Sequence, residues 1–462
     1  MATVRRAARG APGRTPLRHP PRGAAGRRGR AGGRAGALPP AHSEEELRAF
    51  ALQVPATTAN MGPGFDSFGM ALNIFNELQV EVLPADSGAA GRLEVEIRGE
   101  GAGALPEDGS NMIAQAALKA FRAVRGPDAE LPAVRFVCVN NIPPARGLGS
   151  SSGALVAGLG AGLVLAGENL ADPSTKQRLL QLAADEEGHP DNVAPAVYGG
   201  MQVAIDNGNQ WITQRIATPV SAAPPLLPRR SGPRRPRRRR RSQQINHQRA
   251  LGLTPRARPR ISPTPPLGRP QRPRRPHQEA MQAVLFIPDF QSLTSETRAA
   301  LPKEISLADA AFNISRAAML VNCFATGRLE SLRWACEDRL HQPSRGQIFP
   351  MELSEMIQTA LNTGAHGCWI SGAGPTIMAL TGGHGGNVDG DSISTVEALE
   401  VSKALGKVAQ DAGMGGRVLI AEPSTDGIRY VDSLGRKLKV PKSIIRAAVT
   451  TWDGAEDLRV PA

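Results

Sequence analysis

An α+β fold is what this sequence predicts, on three observations. Alternating strand-like patterns and 3.6-period helical patterns are mixed along the chain rather than segregated. No internal repeat overrides that mixture, and no apolar run is long enough to span a bilayer. With 462 residues, 41% of them hydrophobic, the chain can bury a substantial core, and its length suggests two or three domains.

The elements follow in order. Residues 49–53, and on to Thr58, read as a strand leaving into a Gly/Pro loop at 59–66, with a further stretch at 67–72. Residues 78–83 and 93–98 alternate apolar and polar side chains, as half-buried strands do. Residues 111–122 set Ile113, Ala116, Ala117, Ala120 and Phe121 on one helical face. A β-like run at 134–139 enters a Gly/Ser turn at 143–153, and the Ala/Gly/Leu-rich run 154–166 reads as a buried helix. Residues 176–187 are helical in pattern through Leu179, Leu180 and Leu182, and lead through Gly188-His189-Pro190-Asp191-Asn192 to a strand at 202–205. Further on, 283–288 is a buried strand, and 306–324 and 352–363 are helices. Short strands at 368–370 and 377–380 flank the Gly-rich turn Ser371-Gly372-Ala373-Gly374-Pro375-Thr376. A helix at 394–412 and a strand at 417–421 follow, and the tail after Gly427 is less regular.

The net charge of +13 is concentrated in two tracts. Residues 1–43 hold ten arginines and 221–278 hold seventeen, and neither segment has a lysine or an acid. Setting these 27 aside turns +13 into −14 for the rest, so the folded body is acidic. The first 43 residues have almost no large apolar side chain and are expected to be disordered. Their composition resembles an organelle transit peptide, with a disordered tail or a misassigned start as the alternative. The Arg/Pro-rich segment 219–280, peaking at Arg237 to Arg241, reads as a disordered insertion between ordered parts at 44–218 and 281–462. An RNA- or membrane-binding arm is its functional reading, but it lacks interleaved aromatics for stacking on bases, and translated non-coding sequence is a rival. Four scattered cysteines without a CxxC argue for a reducing compartment, and against structural zinc or a disulfide framework.

The most informative stretch is Pro143-Pro144-Ala145-Arg146-Gly147-Leu148-Gly149-Ser150-Ser151-Ser152-Gly153. Strand, Gly/Ser turn and helix start together can hold a phosphate. The glycines let the backbone approach, and the first free N–H groups and the helix dipole point at the anion. The serine hydroxyls can bond a phosphate oxygen or a metal ion. The Gly-Lys-Ser/Thr ending of a Walker loop is absent, and a polar loop with N-capping serines is the plain alternative.

Taken in order, residues 50–72, 140–156, 188–203, 284–302 and 370–380 resemble the successive motifs of the GHMP small-molecule kinases. Within that family they look most like the homoserine-kinase branch, plant and algal type. The resemblance implies a two-domain α+β fold with the active site in the interdomain cleft. It implies ATP-dependent phosphorylation of L-homoserine to O-phospho-L-homoserine in threonine biosynthesis, with ATP and Mg²⁺ as cofactors. The basic amino terminus then suggests a plastid, with mitochondrial or cytoplasmic location as alternatives. A homodimer is carried over from the family, and no specific nucleic-acid or membrane partner is expected.

Residue by residue, the resemblance assigns ATP binding to Pro143, Arg146, Gly147, Leu148, Gly149, Ser150, Ser151 and Ser152. Gly372 and Gly374 close the site, and Asn111 lies near the nucleotide base. Phosphoryl transfer needs neutralised phosphate charge more than covalent chemistry, and backbone N–H groups of the turn supply part of it. Mg²⁺ falls to Ser151 and Glu187, with Glu186 beside it read as facing solvent. Arg298, in Thr294-Ser295-Glu296-Thr297-Arg298, and Arg345, in His341-Gln342-Pro343-Ser344-Arg345, suit the substrate carboxylate. Asn60, Asp66, His189, Asp191, Asn192 and Thr294 complete the amino-acid site.

The catalytic group implied is Asn192, Asp191 and Arg298. Where several GHMP kinases present an aspartate base, this branch presents Asn192. Positioning and electrostatics are therefore expected to carry most of the rate, the proton passing to phosphate or solvent; Asp191 as base is the rival. The runner-up function is another GHMP kinase acting on a sugar or mevalonate-type alcohol; the arginine pair discriminates, since sugars lack the carboxylate that two cations would bind. From a different class, the alternative is an RNA-binding protein on an inactive kinase scaffold.

Overall fold

The apolar stretches at 67–72 and 78–83 are one strand, not two. In the computed structural model, β1 (Ala49–Ala59) runs antiparallel to β2 (Phe68–Val82) over their whole length. Register shifts between Pro55 and Ala56, a bulge of the kind beside which a strand proline is found. β2 persists through its polar middle because it changes partners along its length: one end pairs with one strand and the other end with another, as given below. The structure describes residues 49–84, 92–216, 281–350, 352–382 and 398–431. The basic segments 1–43 and 219–280, and the first residues of the expected helix at 394–412, lie outside them.

The remaining elements of the first half are β3 (Leu93–Gly99), α1 (Met112–Arg125), β4 (Val134–Asn140), α2 (Ser150–Leu165), α3 (Pro173–Glu187), α4 (Val193–Tyr198), β5 (Met201–Asp206) and β6 (Trp211–Ile216). The second half contributes β7 (Gln282–Pro288), α5 (Thr294–Ala299), α6 (Leu307–Thr326), α7 (Leu332–Ala335), α8 (Gln342–Gly346) and α9 (Leu353–Asn362). It continues with β8 (Gly367–Ile370), β9 (Ile377–Thr381), α10 (Ala398–Asp411), β10 (Gly416–Ala421) and β11 (Arg429–Val431). This is the mixed α+β class the sequence predicts.

The first sheet has seven strands, with the path β11-β1-β2-β4-β3; β5 joins β2 through Phe68–Met70, and β6 extends β5. β4 takes the other end of β2, from Glu77 to Val82. Only β3 and β4 are parallel, as the α1 crossover between them requires. The second sheet is antiparallel throughout, in the order β10-β7-β9-β8.

α1 and α2 cover the first sheet at close range. A Cβ on Gly158 or Gly162 of α2 would fall 2.5 Å from the Ile113 carbonyl oxygen or 2.1 Å from that of Ala117. With Ala116 and Ala120 opposite, the glycines let two helix backbones nearly touch, which is why this helix is so poor in large side chains. A second core, including Met61, Met70, Leu148, Leu285 and Trp369, packs residues of both sheets together. The Trp369 indole, fully buried, donates to Thr58 Oγ1 at 3.1 Å, so its polar edge is satisfied. A third core lies between the second sheet and α9 and α10, around Phe286, Ile370, Met356 and Leu405.

α2 begins at Ser150, earlier than the expected 154, so the serines belong to its first turn. β6, α4, α5 and β11 are also outside the sequence reading, each too short to show a period.

Candidate active site

The turn between β4 and α2 is left-handed at Ala145, Gly147 and Gly149 (φ 53°, 76° and 69°). Gly149 caps α2 without a side-chain bond, so the helix start is left open. The turn is clamped by its neighbours. Thr57 N–H donates to the Leu148 carbonyl at 3.1 Å. Ser371 Oγ lies 2.9 Å from Thr58 Oγ1 and donates to the Gly147 carbonyl at 2.7 Å. The turn thus rests against the 371–376 loop of the second sheet.

Beside it lies a cavity of about 750 Å³. Its lining includes Arg146, Gly147, Gly149, Ser150, Ser151, Ser152, Gly372 and Gly374 from the expected ATP set. It also includes Asn60, Asp66, His189, Asp191, Asn192, Thr294, Arg298 and Arg345 from the expected amino-acid set, and Glu187. Three expected residues are placed elsewhere. Leu148 and Pro143 are buried, Leu148 in the core shared by both sheets. Asn111 is spent on capping α1, its Oδ1 accepting from Ile113 N–H at 2.9 Å and its Nδ2 donating to the Pro106 carbonyl at 2.6 Å.

Glu187 ends α3 inside the cavity. Burial pushes its carboxyl up, against a hydrogen bond from Ser152. Ser152 Oγ donates to Glu187 Oε1 at 2.6 Å. The family resemblance put Ser151 and Glu187 together, and successive helical residues point about 100° apart. Ser152 turns inward toward α3, while Ser151 stays exposed along the cavity wall. Glu186 is at the cavity rim, paired with Lys119 of α1. Lys119, Met112, Gln115 and Ser110 were not singled out from sequence. Met112, Gln115 and Lys119 share one face of α1, and nothing in that helical phase distinguishes a cavity wall from ordinary surface.

Asn60, left-handed at φ 66°, folds the first loop. Its Oδ1 accepts from Asp66 N–H at 3.0 Å, and its Nδ2 donates to the Gly372 carbonyl at 2.7 Å. Asp66 is held by both nitrogens of Arg298, at 2.8 and 3.0 Å. Arg345 is 1% exposed. Its Nη1 reaches the Gly372 carbonyl at 2.9 Å, its Nε is buried without a partner, and no carboxylate pairs with it among the described residues. Burial, then the Arg298 charge, lowers its pKa to about 10. Arg298 and Arg345 face the cavity close to one another, Arg345 without a carboxylate among the described residues and desolvated, an arrangement suited to receive an anion.

His189 Nδ1 lies 2.7 Å from Asp191 Oδ1, which also accepts from Asn192 N–H at 3.0 Å. Thr57 Oγ1 donates to Asn192 Oδ1 at 2.7 Å. Asp66, His189 and Asp191 bring ligating atoms within 4.8 Å of one another, but Arg298 and the His189–Asp191 bond already engage them.

Burial disfavours the His189 imidazolium, yet the hydrogen bond and charge of Asp191, then Glu187 and Asp66, outweigh it and the pKa is raised. Folded His189 therefore holds its proton more tightly than the unfolded chain does. Its stabilisation is complete below the ordinary value of 6.5 and is lost as pH rises through its own higher value. His189→Gln is expected to open a Tm gap below pH 6.5 that narrows as pH is raised; a gap independent of pH would reject the assignment.

Comparison with known proteins follows the same lines. Residues 111–200 match the GHMP kinases N terminal domain, and 322–391 match the GHMP kinases C terminal domain. A homoserine kinase of Desulfitobacterium hafniense is 34% identical over 333 residues, 72% of this chain and 87% of that protein. A homoserine kinase of Corynebacterium glutamicum is 34% identical over 337 residues, covering 72% and 86%. The crystal structure of a homoserine kinase from Cytophaga hutchinsonii shares the fold, with a TM-score of 0.60 at 21% identity, covering 83% of this chain and 98% of that one.

Proposed function

The chain belongs to the GHMP kinase family, an ATP-dependent phosphotransferase with an alcohol as acceptor, and from that premise we propose that its acceptor is L-homoserine and its product O-phospho-L-homoserine. One observation carries the choice of acceptor. Arg345 is a buried guanidinium with an unpartnered Nε, and it faces the same cavity as the Asp66–Arg298 fork. A zwitterionic amino acid satisfies all three groups: its carboxylate takes the arginines, and its ammonium takes the Asp66 carboxylate that Arg298 gives up. A sugar offers neither charge, and a mevalonate-type acceptor offers the carboxylate but no ammonium for Asp66.

The residues divide the work. The open start of α2 and the turn at Gly147 and Gly149 receive phosphate through backbone N–H groups. Glu187, with the Ser152 hydroxyl on it and Ser151 on the same wall, is the donor set for Mg²⁺, since a carboxylate whose burial disfavours its charge gains from a bound cation. When bound, that ion would neutralise phosphate charge. Asn192, fixed by Thr57, is the amide beside the acceptor hydroxyl. Asp191 spends one oxygen on His189 and the Asn192 backbone, which supports a positioning role and leaves proton release to phosphate or solvent. The product would feed threonine synthesis, and the Arg-rich 1–43 segment supports import into an organelle, the plastid first.

The direct test is coupled ADP release with L-homoserine, mevalonate and galactose offered separately. Turnover is expected with homoserine alone. Turnover with either other alcohol at comparable kcat/KM would overturn the acceptor assignment.

A further inference from the structure

We propose that His341 is a positioning residue for amino-acid recognition, a neutral imidazole that accepts from Arg345 and thereby aims its guanidinium into the cavity. The inference rests on the reading of Arg345 as a carboxylate receptor and adds a residue outside the cavity lining. His341 is 0% exposed, and both ring nitrogens are engaged. Nε2 lies 2.7 Å from the Gly62 carbonyl oxygen, and Nδ1 lies 3.0 Å from Arg345 Nη1. A carbonyl can only accept and a guanidinium can only donate. The proton is therefore on Nε2 and the lone pair on Nδ1, a tautomer fixed by its two partners. Burial foremost keeps the ring neutral, its pKa lowered to about 4, so the lone pair is present at neutral pH.

The backbone under the ring is also held. Asp338 accepts from the backbone N–H groups of Leu340, His341 and Gln342 at 3.0, 2.9 and 2.7 Å, and is itself bonded by Asn313 Nδ2 at 2.6 Å. Phe65 closes the arrangement: its ring centroid is 5.5 Å from that of His341, with the Arg298 and Arg345 guanidiniums 5.4 and 5.5 Å away. His341 thus joins the two arms of the receptor. Through Gly62 it holds the loop carrying Asn60 and Asp66, and through Nδ1 it turns Arg345 Nη1 away from the ligand, leaving Nε unspent.

Two half-isosteres separate these contacts. In His341→Asn the side-chain oxygen falls near Nδ1 and preserves the acceptor for Arg345. In His341→Gln the amide nitrogen falls near Nε2 and preserves only the Gly62 link. In steady-state kinetics on the full chain, His341→Gln is expected to raise KM for L-homoserine by about tenfold or more, as for a lost hydrogen bond to a charged group, with KM for ATP unchanged. His341→Asn, which keeps the acceptor for Arg345 and loses the Gly62 link, should raise the homoserine KM distinctly less. Equal impairment of both variants, or a homoserine KM untouched in both, overturns the proposal. Arg345→Lys tells the two readings apart: if it leaves the homoserine KM unchanged, the receptor assignment itself fails. A readout free of turnover is the ¹⁵N spectrum of His341 in the folded wild type, expected to show a bare Nδ1 and a protonated Nε2. The opposite tautomer overturns the proposal.

Discussion

Arg345→Met is expected to raise KM for the amino-acid substrate by roughly 10- to 100-fold while leaving Tm nearly unchanged. Charge-assisted hydrogen bonds contribute about 1.5–3 kcal/mol each, which sets the size of the first effect. The second follows from desolvation. Arg345 is 1% exposed and carries a cation without a carboxylate among the described residues, so the folded state bears its burial cost. Replacing a buried charge by an apolar side chain of similar volume is often neutral or stabilising. Against this, the Gly372 carbonyl and His341 Nδ1 each lose a donor. A large kinetic loss with a flat melting curve identifies a residue kept for recognition. A drop in Tm matching the kinetic loss would instead mark Arg345 as structural. The measurement pairs thermal unfolding with homoserine titrations at saturating ATP.

Gly147→Ala is expected to lower kcat/KM for ATP by on the order of 100-fold, the size of effect seen when a preorganised donor site is lost. Gly147 has φ +76°, and an added Cβ would stand 2.2 Å from the Ser371 carbonyl oxygen and 2.8 Å from that of Gly374. Both are backbone atoms of the opposing loop, so no side chain can swing away. The turn must shift, and its N–H groups with it. Gly208 is the control. It has φ +84° with nothing within 4 Å of a built Cβ, so Gly208→Ala carries the left-handed penalty of about 1–2 kcal/mol without the clash. Its ATP kinetics should match wild type. If the two variants behave alike, backbone strain explains Gly147 and the cradle geometry does not.

Much of this was readable from residue types. The strand, turn and buried helix at 134–166 and the buried strand at 283–288 announce themselves as apolar runs set off by Gly, Ser and Pro, and the helix at 176–187 by its leucine spacing. The cavity also gathers most of the residues that the motifs singled out, from Asn60 to Gly374. What was not readable is instructive. Asn111 has the chemistry of a ligand contact, but an asparagine just before an apolar helical face is also a good N-cap, and the cap prevailed. The choice between Ser151 and Ser152 depends on where α2 begins, and a Gly/Ser run gives no period from which to read that phase. The continuous β2 was hidden because Asn73, Asn76 and Glu77 interrupt the apolar pattern at the point where the strand changes partners. Lys119 and Met112 gave no sign, since a cavity wall made from the outer face of a helix looks like ordinary surface.

The short β11 bears on how the chain is made. It closes the open edge of β1, with Arg429 bonding Gln53 from 376 residues away in sequence. Beside it, Ile428 is buried against α2 and its N–H donates to the Ala196 carbonyl. A ribosome that has released the first sheet has not yet synthesised the strand that covers it. Throughout that interval β1 presents bare backbone, the condition under which nascent chains pair with one another. A fragment ending at residue 216 should therefore associate at concentrations where the full chain does not, which light scattering of the two would measure.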